Sequence, residues 1–220
     1  MTDTTEKPLA GLIALVTGAT RGIGRASAIG LAEAGAHVIA VGRTQGALVE
    51  LDDEIKARTG ESATLAPMDL AELDGVDTLA GVIAQRWGRL DILVHAAAQL
   101  GDMTPVSYLD PKVWDKVLLL NMSAPFRLIR ALEPLFRASK AGMDALVATW
   151  TDELENTPIR PVLLSPGPMR TRMRAQAFPG EDPMTLPDPS EIAPLVVELA
   201  RPDLSPAAYV EFKAWKAART

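Results

Sequence analysis

Apolar residues along this chain fall into two alternating rhythms. Short, almost continuous apolar runs over 12–18 ("LIALVTG"), 37–43 ("HVIAVGR"), 62–70 ("SATLAPMDL") and 91–98 ("DILVHAAA") predict buried strands. Between them, apolar residues recur at three- and four-residue spacing and predict helices over 24–35, 46–60 and 76–88, with Gly35 and Gly60 as stops. Strand and helix in alternation is the pattern of a parallel sheet covered by helices on both faces.

Beyond residue 110 the rhythm changes. Asp110 is a candidate N-cap with Pro111 at the first helical position, and a long helix is expected through 112–136, bent at Pro125 and Pro134. A second helix follows over 139–157 with no strand between the two. Only then come a strand over 159–167, a Pro-rich stretch over 172–189 that reads as an irregular loop, a helix over 187–200 and a last strand over 207–212. Pro161 removes a ladder donor and suits a sheet edge. The fold class expected is therefore α/β, a doubly wound parallel sheet (Rossmann-like) lacking one central strand, as a single domain over 1–220.

Composition narrows the function classes. At 48% apolar and 23% charged the chain is an ordinary globular one, and its net charge of -6 argues against a general nucleic-acid binder, which needs clustered cations. There is no cysteine for a disulfide, thiolate metal site or thiol nucleophile, and His37 and His95 are too few for a histidine-built metal centre. The polar start "MTDTTEKPLAG" lacks the regions of a signal peptide, and no run approaches the ~18 apolar residues of a membrane span. A cytoplasmic location without nucleic-acid or membrane partners is the expectation.

The candidate chemistry begins at "TGATRGIG", 17–24, which directly follows a strand and opens a helix. In that context Gly18 permits a tight turn, Gly22 lets the backbone approach a pyrophosphate, and Gly24 allows close helix packing, while the helix N-terminus offers free N–H groups to an anion. A ribose 2′-hydroxyl is usually held by a carboxylate after the second strand, whereas a 2′-phosphate needs a cation. This chain has Gly42 and Arg43 there, with Arg21 in the glycine turn, so NADP is favoured over NAD.

These residues resemble the short-chain dehydrogenase/reductase family, which carries Thr-Gly-x-x-x-Gly-x-Gly at this place. The resemblance covers nearly the whole chain and implies an oxidoreductase acting on a small carbonyl or alcohol. It implies cofactor contacts from Gly18, Thr20, Arg21, Gly22, Ile23 and Gly24. It extends them to Arg43, to Asp69 and Leu70 after the third strand, and to Ala96 and Ala97 in "HAAA", where the family has Asn-Asn-Ala-Gly. From "SPGPMRT" it implies Pro166, Gly167 and Thr171 near the nicotinamide.

For catalysis the resemblance implies Asn121, in "DKVLLLN", and Lys140, in "ASKAGMDAL". The family's Tyr, lowered in pKa by that Lys, and its Ser have no counterpart: four residues before Lys140 stands Phe136. The resemblance implies a longer separation between Asn121 and Lys140 than the 19 residues found here, with the Ser-bearing strand and the loop after it absent. "LFRAS" and "KAGMDAL" thus look like the two banks of a deletion. The alternatives are an active NADP(H)-dependent enzyme, a catalytically inactive dinucleotide-binding relative, or an internally deleted form of such an enzyme. Tyr108 is expected on the surface or a pocket wall, and Tyr209 in the core of a late strand. Family members often assemble as homo-oligomers, an expectation that carries over here.

Overall fold

The structure, a computed structural model, describes residues 7–135, 162–203 and 209–219. The helix predicted over 139–157 lies outside them. Four strands, β1 (Ile13–Thr17), β2 (His37–Gly42), β3 (Thr64–Pro67) and β4 (Ile92–His95), form a parallel sheet in the order β3-β2-β1-β4. Thr17 stands opposite Val41 on one side and His95 on the other, so the C-terminal ends of the strands share one edge. In sheets of this kind that edge is where ligands bind.

β1 is central and every one of its residues is buried, which is why its sequence reads as an unbroken apolar run. The period-two alternation of a strand splits it between two cores. Ala14 and Val16 join Leu31, Leu48, Leu51 and Leu195 on one face. Ile13 and Leu15 join Val76, Ile83, Leu128 and Leu132 on the other. Helices α1 (Gly22–Glu33), α2 (Gln45–Thr59) and α3 (Leu73–Trp87) each follow a strand. α2 and α3 stop at Gly60 and Gly88, both left-handed, as the sequence predicts for α2. α1 approaches α7 (Ala193–Ala200) so closely that a Cβ at Gly30 would stand 2.8 Å from that of Ala193.

The long helix is interrupted rather than bent at its prolines. α4 (Pro111–Leu118), capped by the Asp110 carboxylate accepting the Lys112 N–H, runs into a π-turn (Leu119–Ser123) and then α5 (Ala124–Leu132). Pro125 sits in the first turn of α5, and the interruption precedes it. Having no N–H, Pro125 offers nothing to the carbonyl of Asn121, four residues back, and the Ala124 N–H instead reaches five residues back to Leu119. Pro134 lies in a closing 3-10 turn (Glu133–Leu135).

The second half corrects several expectations. β5 (Leu163–Ser165) and β6 (Tyr209–Glu211) pair in parallel as a separate two-stranded sheet, since no described strand lies between β4 and β5 to join them. The stretch expected to be irregular contains α6 (Arg172–Ala177), capped by Thr171, and a 3-10 turn (Pro183–Thr185) capped by Asp182. A capping box between Asp188 and Glu191 opens the turn that leads into α7. Phe212, expected in the last strand, instead begins α8 (Phe212–Ala217) and is buried in the first core. Tyr209, expected in the core, is exposed, its hydroxyl donating to Glu211.

Candidate dinucleotide site

The glycine turn has the geometry that only glycine tolerates. Gly18 has φ 65°, and a Cβ there would stand 2.8 Å from the Ala97 nitrogen; Gly22 has φ 55°. A Cβ at Gly24 would run into the Gly18 carbonyl, so β1 and α1 can meet this closely only without one. The Ala19 N–H is fixed on the Val41 carbonyl at 3.1 Å, and the Thr20 methyl covers Gly42, where a Cβ would come within 2.6 Å of it. Arg21 is extended at the N-cap of α1 and provides no side-chain cap, which leaves the first N–H groups of a 12-residue helix without a side-chain acceptor. Ile23 packs against the first core.

The other strand ends complete the edge. Arg43 follows β2 with an exposed side chain, 3.9 Å from the Asp69 carboxylate, whose other oxygen accepts the Ala71 N–H. Leu70 is buried in the second core, so only its backbone can face a ligand. After β4, the Ala96 and Ala97 N–H groups both donate to the Thr17 hydroxyl, at 3.2 and 3.3 Å. The same hydroxyl lies 2.9 Å from His95 Nδ1 and pairs with it; in the neutral tautomer that carries its proton on Nε2, Nδ1 accepts the hydroxyl proton. Burial pushes His95 down to about 4, against a smaller opposing contribution from the Ala97 backbone. Nothing in the sequence motif assigns a role to His95 or to the Thr17 hydroxyl. The available signal was a hydroxyl ending an otherwise apolar buried strand.

Asn121 lies in the π-turn and is tied to the loop after β4. Its Oδ1 accepts the Gln99 N–H at 3.0 Å, and its Nδ2 donates to the Gln99 carbonyl at 2.9 Å. Three residues before Gln99 is Ala96, so this bidentate contact brings the helix to the same edge as the glycine turn. From the second half, Pro166 and Gly167 (φ 66°) follow β5, and the Thr171 methyl stands 3.5 Å from the place of a Gly22 Cβ. Thr171 also caps α6, its hydroxyl accepting the Arg174 N–H. Lys140 and Phe136 lie outside the described residues. Apart from Asn121 in the π-turn, the other predicted site residues stand on the turn itself, at strand ends on its edge, or on loops held against it.

The arrangement has counterparts. The family model of the short chain dehydrogenases matches residues 12–138. The uncharacterized oxidoreductase YciK of Escherichia coli K12 is 35% identical over 219 residues, covering 87% of this chain and 86% of its own. This chain spans about half the length of other curated relatives that it matches. Among solved structures, a short chain dehydrogenase from Salmonella enterica serovar Typhi superposes with a TM-score of 0.87 at 30% identity, over 94% of this chain and 97% of that one. A chain of the same kind from Shigella flexneri 2a, crystallised in complex with NADP, superposes with a TM-score of 0.84 at 32% identity, over 94% and 98%. With a glycine turn of this geometry at the head of a parallel sheet, and a likeness running through so much of both chains, this chain belongs to the short chain dehydrogenase family.

Proposed function

We propose that this chain is an NADP(H)-dependent oxidoreductase of a small carbonyl or alcohol, built as one dinucleotide-binding domain over 1–220 and working in the cytoplasm as a homo-oligomer. The observation that carries the reading is the glycine turn: Gly18 and Gly22 at positive φ beneath a helix N-terminus with no side-chain cap. Gly18, Thr20, Gly22, Ile23 and Gly24 would hold the pyrophosphate through backbone N–H groups, as the fold requires. Arg43 and Arg21 would take the 2′-phosphate, the first by leaving its long contact with Asp69. Asp69 and the Leu70 backbone would meet the adenine, Ala96 and Ala97 the adjoining ribose, and Pro166, Gly167 and Thr171 the nicotinamide. When bound, the nicotinamide supplies or takes up the hydride.

Asn121 and Lys140 would be the catalytic groups this chain retains, Asn121 already fixed by its two bonds to Gln99. No helix among the described residues is long and apolar enough to cross a membrane. The exposed Trp114, Met122 and Phe126 along α4, the π-turn and α5 offer an apolar face to a second copy.

A second reading, dinucleotide binding without turnover, is favoured by one observation. The two tyrosines of the chain are Tyr108, 80% exposed before α4, and Tyr209, exposed on β6, and Phe136 stands four residues before Lys140. An internal deletion of the Ser and Tyr segment accounts for this.

The experiment that tests the proposal is a titration with NADPH and NADH, followed by nicotinamide fluorescence and melting temperature, then NADPH oxidation with a panel of carbonyl compounds. NADPH binding tighter than NADH, weakened at least tenfold by Gly18→Ala, supports the dinucleotide site, and its absence refutes it. Binding without oxidation selects the second reading.

A further inference from the structure

A cleft of about 230 Å³ opens beside Thr171, bounded by three arginines, Arg170, Arg172 and Arg174, and by the apolar side chains of Phe178 and Leu186. Through Thr171, whose methyl lies against the Gly22 turn, it adjoins the dinucleotide site. Two of the arginines are committed. Arg170 donates to Asp188 at 2.8 Å, and Arg174 grips Glu181 with two bonds of 2.7 and 2.8 Å while lying over the Phe178 ring. Glu181, which also borders the cleft, is neutralised by the second of these pairs. Arg172 has no ion-pair partner among the described residues and is exposed at the rim. In a chain of net charge -6 this cleft therefore carries, among the described residues, a positive charge without an acidic partner over an apolar wall. A guanidinium fork matches a carboxylate in shape as well as charge.

The geometry points to a small organic acid as the substrate, its carboxylate held by Arg172 and its aliphatic body lying against Phe178 and Leu186. The identity of the ligand as a substrate rests on the proposed function; the cleft's preference for an anion stands on its own residues. Arg172 is a binding residue here and Thr171 a positioning one, joining the cleft to the glycine turn.

The test is equilibrium binding of hexanoate, hexanamide and inorganic phosphate to the full chain, alongside NADPH. Hexanoate binding at least tenfold tighter than hexanamide, with Arg172→Gln erasing that difference, Arg172→Lys keeping part of it, and NADPH affinity unchanged in both variants, is the expected result. Equal binding of hexanoate and hexanamide, retention of the difference in Arg172→Gln, or phosphate binding as tightly as hexanoate overturns the inference. Failure of NADPH to bind refutes the dinucleotide reading separately, because the hexanoate comparison is read without cofactor.

Discussion

His95 shows how one residue carries both position and titration. Its proton leaves at about 4 in the folded chain, against 6.5 for a free imidazole, because burial penalises the charged ring. Between those values the unfolded chain binds the extra proton, so stability falls as pH drops from 6.5 towards 4 and is fully kept above 6.5. The loss is at most about 3 kcal/mol. Urea denaturation at pH 7 and pH 5 should show a fall in the wild type that His95→Asn reduces. Identical falls in both would mean that the imidazole is not the group responsible. Gly18 and Gly24 were legible in the sequence because a motif names them and the space at each excludes a Cβ. The Thr17–His95 bond was not, because it joins residues 78 positions apart.

Among the elements, the π-turn is the one that reaches the site. Asn121 stands in for a strand at Gln99, giving it both an acceptor and a donor, and so fixes the loop that carries Ala96 and Ala97. Asn121→Ala strips both partners from a half-buried backbone, a loss of about 1–3 kcal/mol. Chemical denaturation should report that loss, and NADPH affinity should fall with it as the loop loosens; unchanged values for both would show that Gln99 finds other partners. Helix existence was readable from apolar spacing, and α1, α2 and α3 lie within about three residues of their expected limits. The turn within 111–136 was not readable, since Pro125 alone does not say whether the chain will bend at it or change register before it. α6 escaped notice because six residues among prolines are too few to show a period.

For the whole molecule, two cores on opposite faces of one sheet account for the burial, and the exposed Trp114, Met122 and Phe126 lie outside both. Sedimentation velocity should find a homo-oligomer that Phe126→Glu shifts towards monomer without lowering its melting temperature, because a charge on that face costs a partner contact and no core packing. A wild type that sediments as a monomer at high concentration sinks the idea. The division into a four-stranded sheet and a separate β5–β6 pair also belongs to this scale. It was half legible: the alternation of strands and helices up to β4 predicts the parallel four-stranded sheet, but nothing in the local pattern says that β5 and β6 pair with each other.

The sequence by itself determined what depends on near neighbours: the strand–turn–helix at 12–33, the glycine positions, the stop at Gly60, the cap at Asp110 and the cation after β2. Those follow from backbone freedom, capping and periodicity within a few residues. Only the tertiary structure decided that Leu70 faces the core and that Tyr209 does not. It also decided that Thr17 serves two N–H groups and a histidine, that Asn121 spends its side chain on Gln99, and that among the described residues Arg172 has no carboxylate partner while Arg170 and Arg174 have theirs. Each of these depends on which distant segments share an edge of the sheet, and local pattern carries no record of that choice.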